Sequence, residues 1–202
     1  MNLILASTSP YRKTLLERLQ VAFTCEPPGV VEAGLPGEPP DALAARLARA
    51  KAAAIAARHP GAAVIGSDQV AALDGEVLGK PGSHARATDQ LRACSGRTVH
   101  FYTAVTLIAP RYEGTHVAPF QVAFRELSDL EIDDYLRRDQ PYDCAGSFKW
   151  ESLGITLFER LAGDDPTGLE GLPLIALTTL LKEAGYPPLA SAPPSSAGNS
   201  DR

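Results

Sequence analysis

Ala63-Val64-Ile65-Gly66-Ser67-Asp68-Gln69-Val70-Ala71-Ala72-Leu73 reads as one long strand, apolar almost throughout and broken by a single carboxylate. Its β-branched residues suit a buried pleated surface. Asp74-Gly75 follows, a hairpin turn signal. Upstream, Asp41 caps a long helix that runs to about Arg58 and is ended by Pro60. Downstream, a helix is predicted from about Ala85 to Ala93, with Gly96 near its C-cap. Thr98–Ala109 and Thr115–Leu127 are predicted as long strands, paired antiparallel around Glu113-Gly114.

The flanks extend this pattern. Asn2–Ala6 and Val21–Cys25 read as short strands, separated by a helix carrying Leu15, Leu16 and Leu19. Glu26–Pro40, with five prolines and three glycines, is a loop. Ser128 and Glu131 form a capping box that opens a helix through Arg138. Ile155–Leu161 is predicted as a strand and Leu172–Glu183 as the last helix. Helices and strands mix throughout, with long antiparallel pairing in the middle, so the class is α/β or α+β.

The length of 202 residues suits one domain. With 45% hydrophobic and 21% charged residues, wholesale disorder is excluded. A formal net charge of −5 argues against a dedicated nucleic-acid binder, whose footprint is basic. A small anion can still be held by a few local cations, so a nucleotide substrate stays open. Cys25, Cys94 and Cys144 lie far apart without a CxxC pair, and reduced thiols in a cytoplasmic protein are expected. No apolar run approaches the roughly 20 residues of a membrane span. Met1–Ala6 lacks the basic and long apolar regions of a signal peptide. The stretch from Pro187 to Arg202 is rich in Pro, Ser, Ala and Gly and is expected to be disordered, so the domain is drawn at 1–189 with a tail at 190–202.

Several stretches can carry chemistry. Ser7-Thr8-Ser9-Pro10-Tyr11-Arg12 is a hydroxyl-rich turn opening a helix, with Ser9 as N-cap and Pro10 at the first helical position. Free N–H groups and the helix dipole attract phosphate there. Arg12 opposes that dipole, which a bound anion would justify; a plain Ser-Pro cap with a surface Arg fits the same residues. Leu43, Leu47, Lys51 and Ile55 share one helix face, so Lys51 either snorkels at a rim or reaches an anion. Asp68 interrupts an apolar strand that resumes at Val70 with no turn between, which favours a functional acid over a strand-end turn. Gly75-Glu76-Val77-Leu78-Gly79-Lys80-Pro81 fails the phosphate-loop pattern twice, in its glycine spacing and at Pro81, so a Walker-type NTPase is excluded. Lys80 is nevertheless a rigidly presented cation. Cys144–Gly154, with small residues, charges and aromatics, suits a loop closing over a flat ring and equally an ordinary exposed loop. Asp129, Glu131, Asp133 and Asp134 read as a solvated helix face, and the four histidines show no ligand spacing.

Taken in order, Leu5–Arg12, Arg49-Ala50-Lys51-Ala52, Gly66-Ser67-Asp68-Gln69-Val70, Gly79-Lys80-Pro81 and Gly171-Leu172-Pro173 resemble the Maf family of nucleoside triphosphate pyrophosphatases, over roughly residues 2–186. Tyr11, Asp68-Gln69 and the run Cys144–Lys149 with Glu151 and Gly154 look closest to the branch acting on 7-methyl-GTP. In two departures, Val31 stands where an acidic residue usually precedes Glu32, and Trp150 replaces a small residue. The resemblance implies a mixed α/β fold like that of inosine triphosphate pyrophosphatases: a central mixed sheet with long antiparallel strands, flanked by helices, in two lobes around a cleft. It implies water attack on the α-phosphorus of 7-methyl-GTP, giving the monophosphate and diphosphate. Asp68 would be general base, metal ligand or both, with Glu32 as the second carboxylate for Mg²⁺ or Mn²⁺. Ser7, Ser9, Arg12, Lys51 and Lys80 would hold the triphosphate. Tyr11, Gln69 and Glu151 would read the base, whose positive charge suits stacking on Tyr11 and a nearby carboxylate. A homodimer is suggested, with no nucleic-acid or membrane partner. Three other readings stay open: a broader pyrophosphatase for non-standard purine triphosphates, a nucleotide-binding regulator of cell division, and a domain binding some other phosphorylated metabolite. Asp68 and Glu32 favour turnover over binding alone, since binding needs no water-activating carboxylate.

Overall fold

The long strand is present as β3 (Ala63–Leu73), buried along nearly its whole length, in a computed structural model that describes residues 2–189. On one side β3 pairs parallel with β1 (Leu3–Leu5), and β1 pairs parallel with β2 (Thr24–Cys25). On the other side it pairs antiparallel with β5 (Thr98–Ala109). That strand pairs with β6 (Tyr112–Phe124), and β6 with β7 (Phe158–Ala162). The short β4 (Glu76–Leu78) folds back on the end of β3 through Asp74 and Gly75, whose φ values of 50° and 85° are what a tight hairpin needs. The sheet is therefore mixed, in the order β2-β1-β3-β5-β6-β7 with β4 on β3.

Helices α1 (Pro10–Glu17), α2 (Pro40–Ala56), α3 (His84–Cys94), α4 (Asp129–Asp139) and α5 (Leu174–Glu183) cover this sheet unequally. α2 lies on one face, where Leu47 and Ala48 meet Val70 and Ala104, and Ala52 and Ile55 meet Ile4 and Val64. The opposite face carries two separate cores. In one, α1 and α5 pack on Leu3, Leu5, Ile65, Val105 and Leu107. In the other, α3 and α4 pack on Ala71, Phe101, Val122 and Phe124. The period-2 alternation of β3 sends Ile65, Ser67, Gln69 and Ala71 to this divided face and Val64, Gly66, Asp68 and Val70 under α2. The division of the core produces the two lobes and the cleft between them.

Gly66 sets the distance between α2 and β3. A Cβ at this position would collide with the backbone of Ala48 and Ala52. Because Gly66 has no side chain and the facing helix residues are alanines, α2 settles onto the strand, and Lys51, beside Ala52, comes within reach of Asp68.

Ser9 caps α1, its side chain accepting from the Arg12 N–H, and Ser128 and Glu131 form the complete capping box of α4. Several expected boundaries move. β1 is shorter than Asn2–Ala6, and the Val21–Cys25 strand shrinks to Thr24–Cys25 because β1 offers only Ile4 and Leu5 as partners. Asp41 lies in the first turn of α2 rather than at its cap; Pro39 holds the cap position and Pro40, with φ preset for a helix, starts it. The β5–β6 turn is at Pro110-Arg111, not Glu113-Gly114. Gly114 lies inside β6, where a side chain would collide with the Tyr112 hydroxyl and Leu180. Ile155 belongs to a 3₁₀ turn, Leu153–Leu157, stitched by Thr156 Oγ1 donating to Leu153 O at 2.8 Å, so β7 begins only at Phe158. α5 starts at Leu174, two residues late, because its first N–H groups are met from a distant turn: Thr167 Oγ1 accepts from Leu174 and the Asp165 carboxylate from Ile175.

The acidic face of α4 is solvated and paired, Asp129 with Arg92 and Asp134 with Arg138. Among the described residues no three His, Cys, Asp or Glu side chains are grouped to hold a metal, and no helix is long and apolar enough to cross a membrane. The three cysteines are free. Pro187–Leu189 have no regular structure; the remainder of the expected disordered tail, from residue 190, lies outside the described residues.

Gly66→Ala should lower stability by roughly 1–3 kcal/mol, the usual cost of overpacking a close helix–strand contact. Thermal melting checks this, and a Tm equal to the parent's would show that α2 can lift without loss.

Candidate active site

The cleft between the lobes has a volume of about 660 Å³ and is lined by the turn after β1, by α2 and β3, by the β4–α3 loop, and by segments 143–151 and 169–171. At its floor Lys51 Nζ lies 2.6 Å from Asp68 Oδ1 and 2.6 Å from Glu32 Oε1. Lys51 is 4% exposed and Asp68 6%. Neither charge could stay buried alone, since removing one partner of such a pair costs several kcal/mol. Lys51 thus does not snorkel. It gives two of its three donors to carboxylates, and the third has no partner among the described residues.

The two carboxylates are driven in opposite directions. Burial pushes the Asp68 carboxyl above its ordinary value, and Lys51 and Arg12 only partly counter this. Burial also pushes Glu32 up, but the hydrogen bond and charge of Lys51, with Arg12 and Lys80 behind it, prevail and hold Glu32 below the ordinary glutamate value. A pair separated in this way is the arrangement that gives two carboxylates distinct acid–base roles.

Cations and hydroxyls surround this floor. Arg12, in the first turn of α1, donates from Nε to Gly171 O at 2.8 Å; its Nη groups have no protein partner among the described residues. Ser7 Oγ accepts from the Ser9 N–H at 3.1 Å and Ser9 Oγ from the Arg12 N–H at 3.4 Å, which leaves both hydroxyl protons to donate. Lys80 enters the cleft from the β4–α3 loop and pairs with no carboxylate among the described residues. A hydroxyl-rich helix start and two side-chain cations facing a buried carboxylate can bind a polyphosphate and activate a water beside it.

A family model described as Maf-like protein matches residues 2–184. The chain belongs to the Maf family. It is 55% identical over 189 residues to a 7-methyl-GTP pyrophosphatase of Nitrosococcus oceani, covering 93% of this chain and 95% of the relative. It is 58% identical over 184 residues to a 7-methyl-GTP pyrophosphatase of Xanthomonas oryzae pv. oryzae, covering 91% and 97%. Among solved structures, a HAM1 protein from Coxiella burnetii matches with a TM-score of 0.52 at 17% identity, over 91% of this chain and all of that one. That likeness is one of fold, and it agrees with the mixed, two-lobed sheet expected of a Maf protein.

In this Maf chain the residues expected to read a base divide. Tyr11, 36% exposed, reaches the cleft from α1, and the charges of Asp143, Lys149 and Glu151 bear on it from the other lobe. Burial pushes the Glu151 carboxyl up, with the charges of Glu170 and Asp139 adding to it. Gln69 lines the cleft, but its amide nitrogen is committed to Gly168 O at 2.8 Å, Leu169 O at 3.0 Å and Thr103 Oγ1 at 3.2 Å. Only its carbonyl is left for a ligand; its nitrogen secures a wall. Val31, in the loop beside Glu32, faces solvent. Trp150 lines the cleft, and its indole N–H is the buried side-chain polar group without a partner among the described residues.

Three residues escaped the sequence reading. Ser67 Oγ lies 2.8 Å from Ala104 O and 2.9 Å from Gly171 O, so one carbonyl gathers both Ser67 and Arg12. Thr103 Oγ1 donates to Gly168 O at 2.8 Å. Thr103, a buried hydroxyl in an apolar strand, carried the same signal as Asp68 in a weaker form. Gly171, within a quoted motif, holds φ +108°, and its carbonyl accepts from both Ser67 Oγ and Arg12 Nε.

Lys51→Met should destabilise the protein by about 3–5 kcal/mol at neutral pH, by leaving the buried Asp68 carboxylate without its ammonium partner. Asp68 already titrates high, and without Lys51 it titrates higher still. The folded state then gains relative stability as pH falls through that raised value, so the deficit should shrink on acidification. Denaturant unfolding at several pH values checks this; a pH-independent deficit would contradict it.

Proposed function

We propose that this Maf chain hydrolyses 7-methyl-GTP to 7-methyl-GMP and diphosphate and so removes a modified nucleotide. The observation that carries the reading is the buried Asp68–Lys51 pair, joined by the solvent-facing Glu32, at the floor of a cation-lined cleft. The relatives named above, more than half identical over nearly the whole chain, support the substrate.

In this reading Asp68 takes the proton of the water that attacks the α-phosphorus. Burial raises its pKa, which makes its carboxylate a better proton acceptor than an ordinary one. Arg12, Lys80 and the remaining Lys51 donor, with the Ser7 and Ser9 hydroxyls, hold the phosphates and the charge that grows on them. A divalent cation fits the donor set. Asp68 and Glu32 already converge on one positive centre, and oxygen donors suit Mg²⁺ or Mn²⁺, which need only one or two carboxylates beside substrate phosphates. Bound there by Glu32 and Asp68, the ion would neutralise phosphate charge. Tyr11 and Glu151 face a base from opposite lobes. N7-methylguanine is cationic, so an aromatic face and an ionised carboxylate both favour it over guanine. The reading extends to a cytoplasmic homodimer, supported by the free thiols and by family likeness.

The test is a panel of ordinary and modified nucleoside triphosphates, with and without magnesium, separating diphosphate from orthophosphate. Diphosphate released fastest from 7-methyl-GTP is expected; equal rates on all purine triphosphates would replace this reading with a broad-specificity one. Asp68→Asn should lower turnover by at least ~100-fold, and near-normal turnover would remove Asp68 from the role of base. The acid limb of kcat/KM should lie above the ordinary aspartate range, since activity rises as Asp68 loses its proton.

Glu151→Gln should lower kcat/KM for 7-methyl-GTP about 5-fold, the scale of one partly screened charge contact, and leave GTP little changed. In the parent protein the preference for the methylated base should fade as acidification protonates Glu151. Equal losses on both substrates would rule out recognition of the base by charge.

A further inference from the structure

Two loops bring the cleft its phosphate-side and base-side groups from the α3/α4 lobe: the β4–α3 loop with Lys80, and segment 143–151 with Glu151. Behind both lies Gln90, on α3, which does not line the cleft. Its Nε2 donates to Gly79 O at 3.0 Å, one residue before Lys80. Its Oε1 accepts from Ser147 Oγ at 2.5 Å, four residues before Glu151. The amide orientation follows from chemistry: a backbone carbonyl only accepts, so the nitrogen must face Gly79, and the oxygen is left for the serine proton. Ser147 is fully buried and has φ +64°, next to Gly146 at +77°, so this turn sits in a conformation that a serine adopts only when surrounding contacts hold it there.

We propose that Gln90 is a positioning residue that locks the Lys80 loop and the Ser147–Glu151 loop to each other through one side-chain amide, so that the phosphate-binding and base-reading halves of the site are set as a unit. The inference rests on the pyrophosphatase reading for the meaning of the two halves. Each half makes a separable contribution. Loss of the Gly79 bond frees the backbone that presents Lys80, which lowers affinity for phosphate. Loss of the Ser147 bond frees the turn that presents Glu151, which lowers affinity for the base. Gln90 touches neither ligand, so both effects act through backbone position.

Three variants separate the arms. Gln90→Met keeps the size and removes both bonds. Ser147→Ala removes only the base-side bond. Gln90→Glu keeps the acceptor for Ser147 and sets a carboxylate oxygen against Gly79 O, so only the phosphate-side bond is lost. Calorimetric titration of the full chain with pyrophosphate and, separately, with 7-methylguanosine reads the two halves, with thermal melting as a check of folding. Gln90→Met should weaken both probes by ~3- to 10-fold, the loss of about one hydrogen bond on each side. Ser147→Ala should weaken only 7-methylguanosine. Gln90→Glu should weaken only pyrophosphate, restoring the nucleoside affinity lost in Gln90→Met, which a purely structural role would not do. Affinities within twofold of the parent in Gln90→Met, or losses in Gln90→Glu equal on both probes, would overturn the proposal. Failure of the parent protein to bind 7-methylguanosine would count against the substrate reading alone, because the pyrophosphate arm still decides the role of Gln90.

Discussion

A lysine ammonium 2.6 Å from each of two carboxylates, under a helix floored with alanine, is the interaction on which the rest of the site depends. It exists because Gly66 and the facing alanines let α2 approach β3 closely enough for Lys51 to span the gap. Two charges that would each be costly to bury, Lys51 and Asp68, become tolerable together, with Glu32 adding a second carboxylate from the solvent side. The same contact fixes the chemistry. In Asp68 burial outweighs the cationic neighbours; in Glu32, nearer solvent, burial is outweighed by the hydrogen bond and charge of Lys51 together with Arg12 and Lys80. The balance of burial against cations thus gives two similar carboxylates different proton affinities.

The cleft above this cluster follows from how the sheet is covered. One face carries a single helix; the other carries two separate cores with a gap between them, and the cleft is lined by residues of both lobes together with Leu43, Leu47 and Lys51 of α2. The gap needs its own support because strand residues there have no helix to pack on. Ser67, Gln69 and Thr103 fill that role by gripping the carbonyls of segment 168–171. The same segment fixes Arg12 through Gly171 O. Polar groups that look misplaced in an apolar strand are therefore the fasteners of the cleft wall.

Membership of the Maf family and the geometry of the site are both compatible with the proposed pyrophosphatase reading. The cluster explains why such a cleft can activate water next to a polyphosphate. In that proposed reading, the opposition of Tyr11 and Glu151 would favour a cationic base. The Gln90 bridge adds a reason for the two halves of the site to keep a common register although they lie on different loops.

Much of the fold was legible in the sequence because it obeys local rules. The β3 run and its Asp74-Gly75 hairpin, the Ser9 cap with Pro10, and the Ser128–Glu131 box each depend on a few consecutive residues. Asp68 stood out for the same reason, as an acid among apolar neighbours. Features that depend on distant partners were not legible. Gly114 looked like a turn and is a packing glycine beneath Tyr112 and Leu180. Ile155 looked like a strand and is a 3₁₀ turn. Lys51 offered two plausible fates, and only packing showed that it reaches anions, the Asp68 and Glu32 carboxylates; Gln69 spends its nitrogen on carbonyls 99 and 100 residues away, contacts that no local pattern announces. Residue type and spacing determine what a side chain is able to do; which partner it meets is decided only when strands and helices far apart in the chain are packed together.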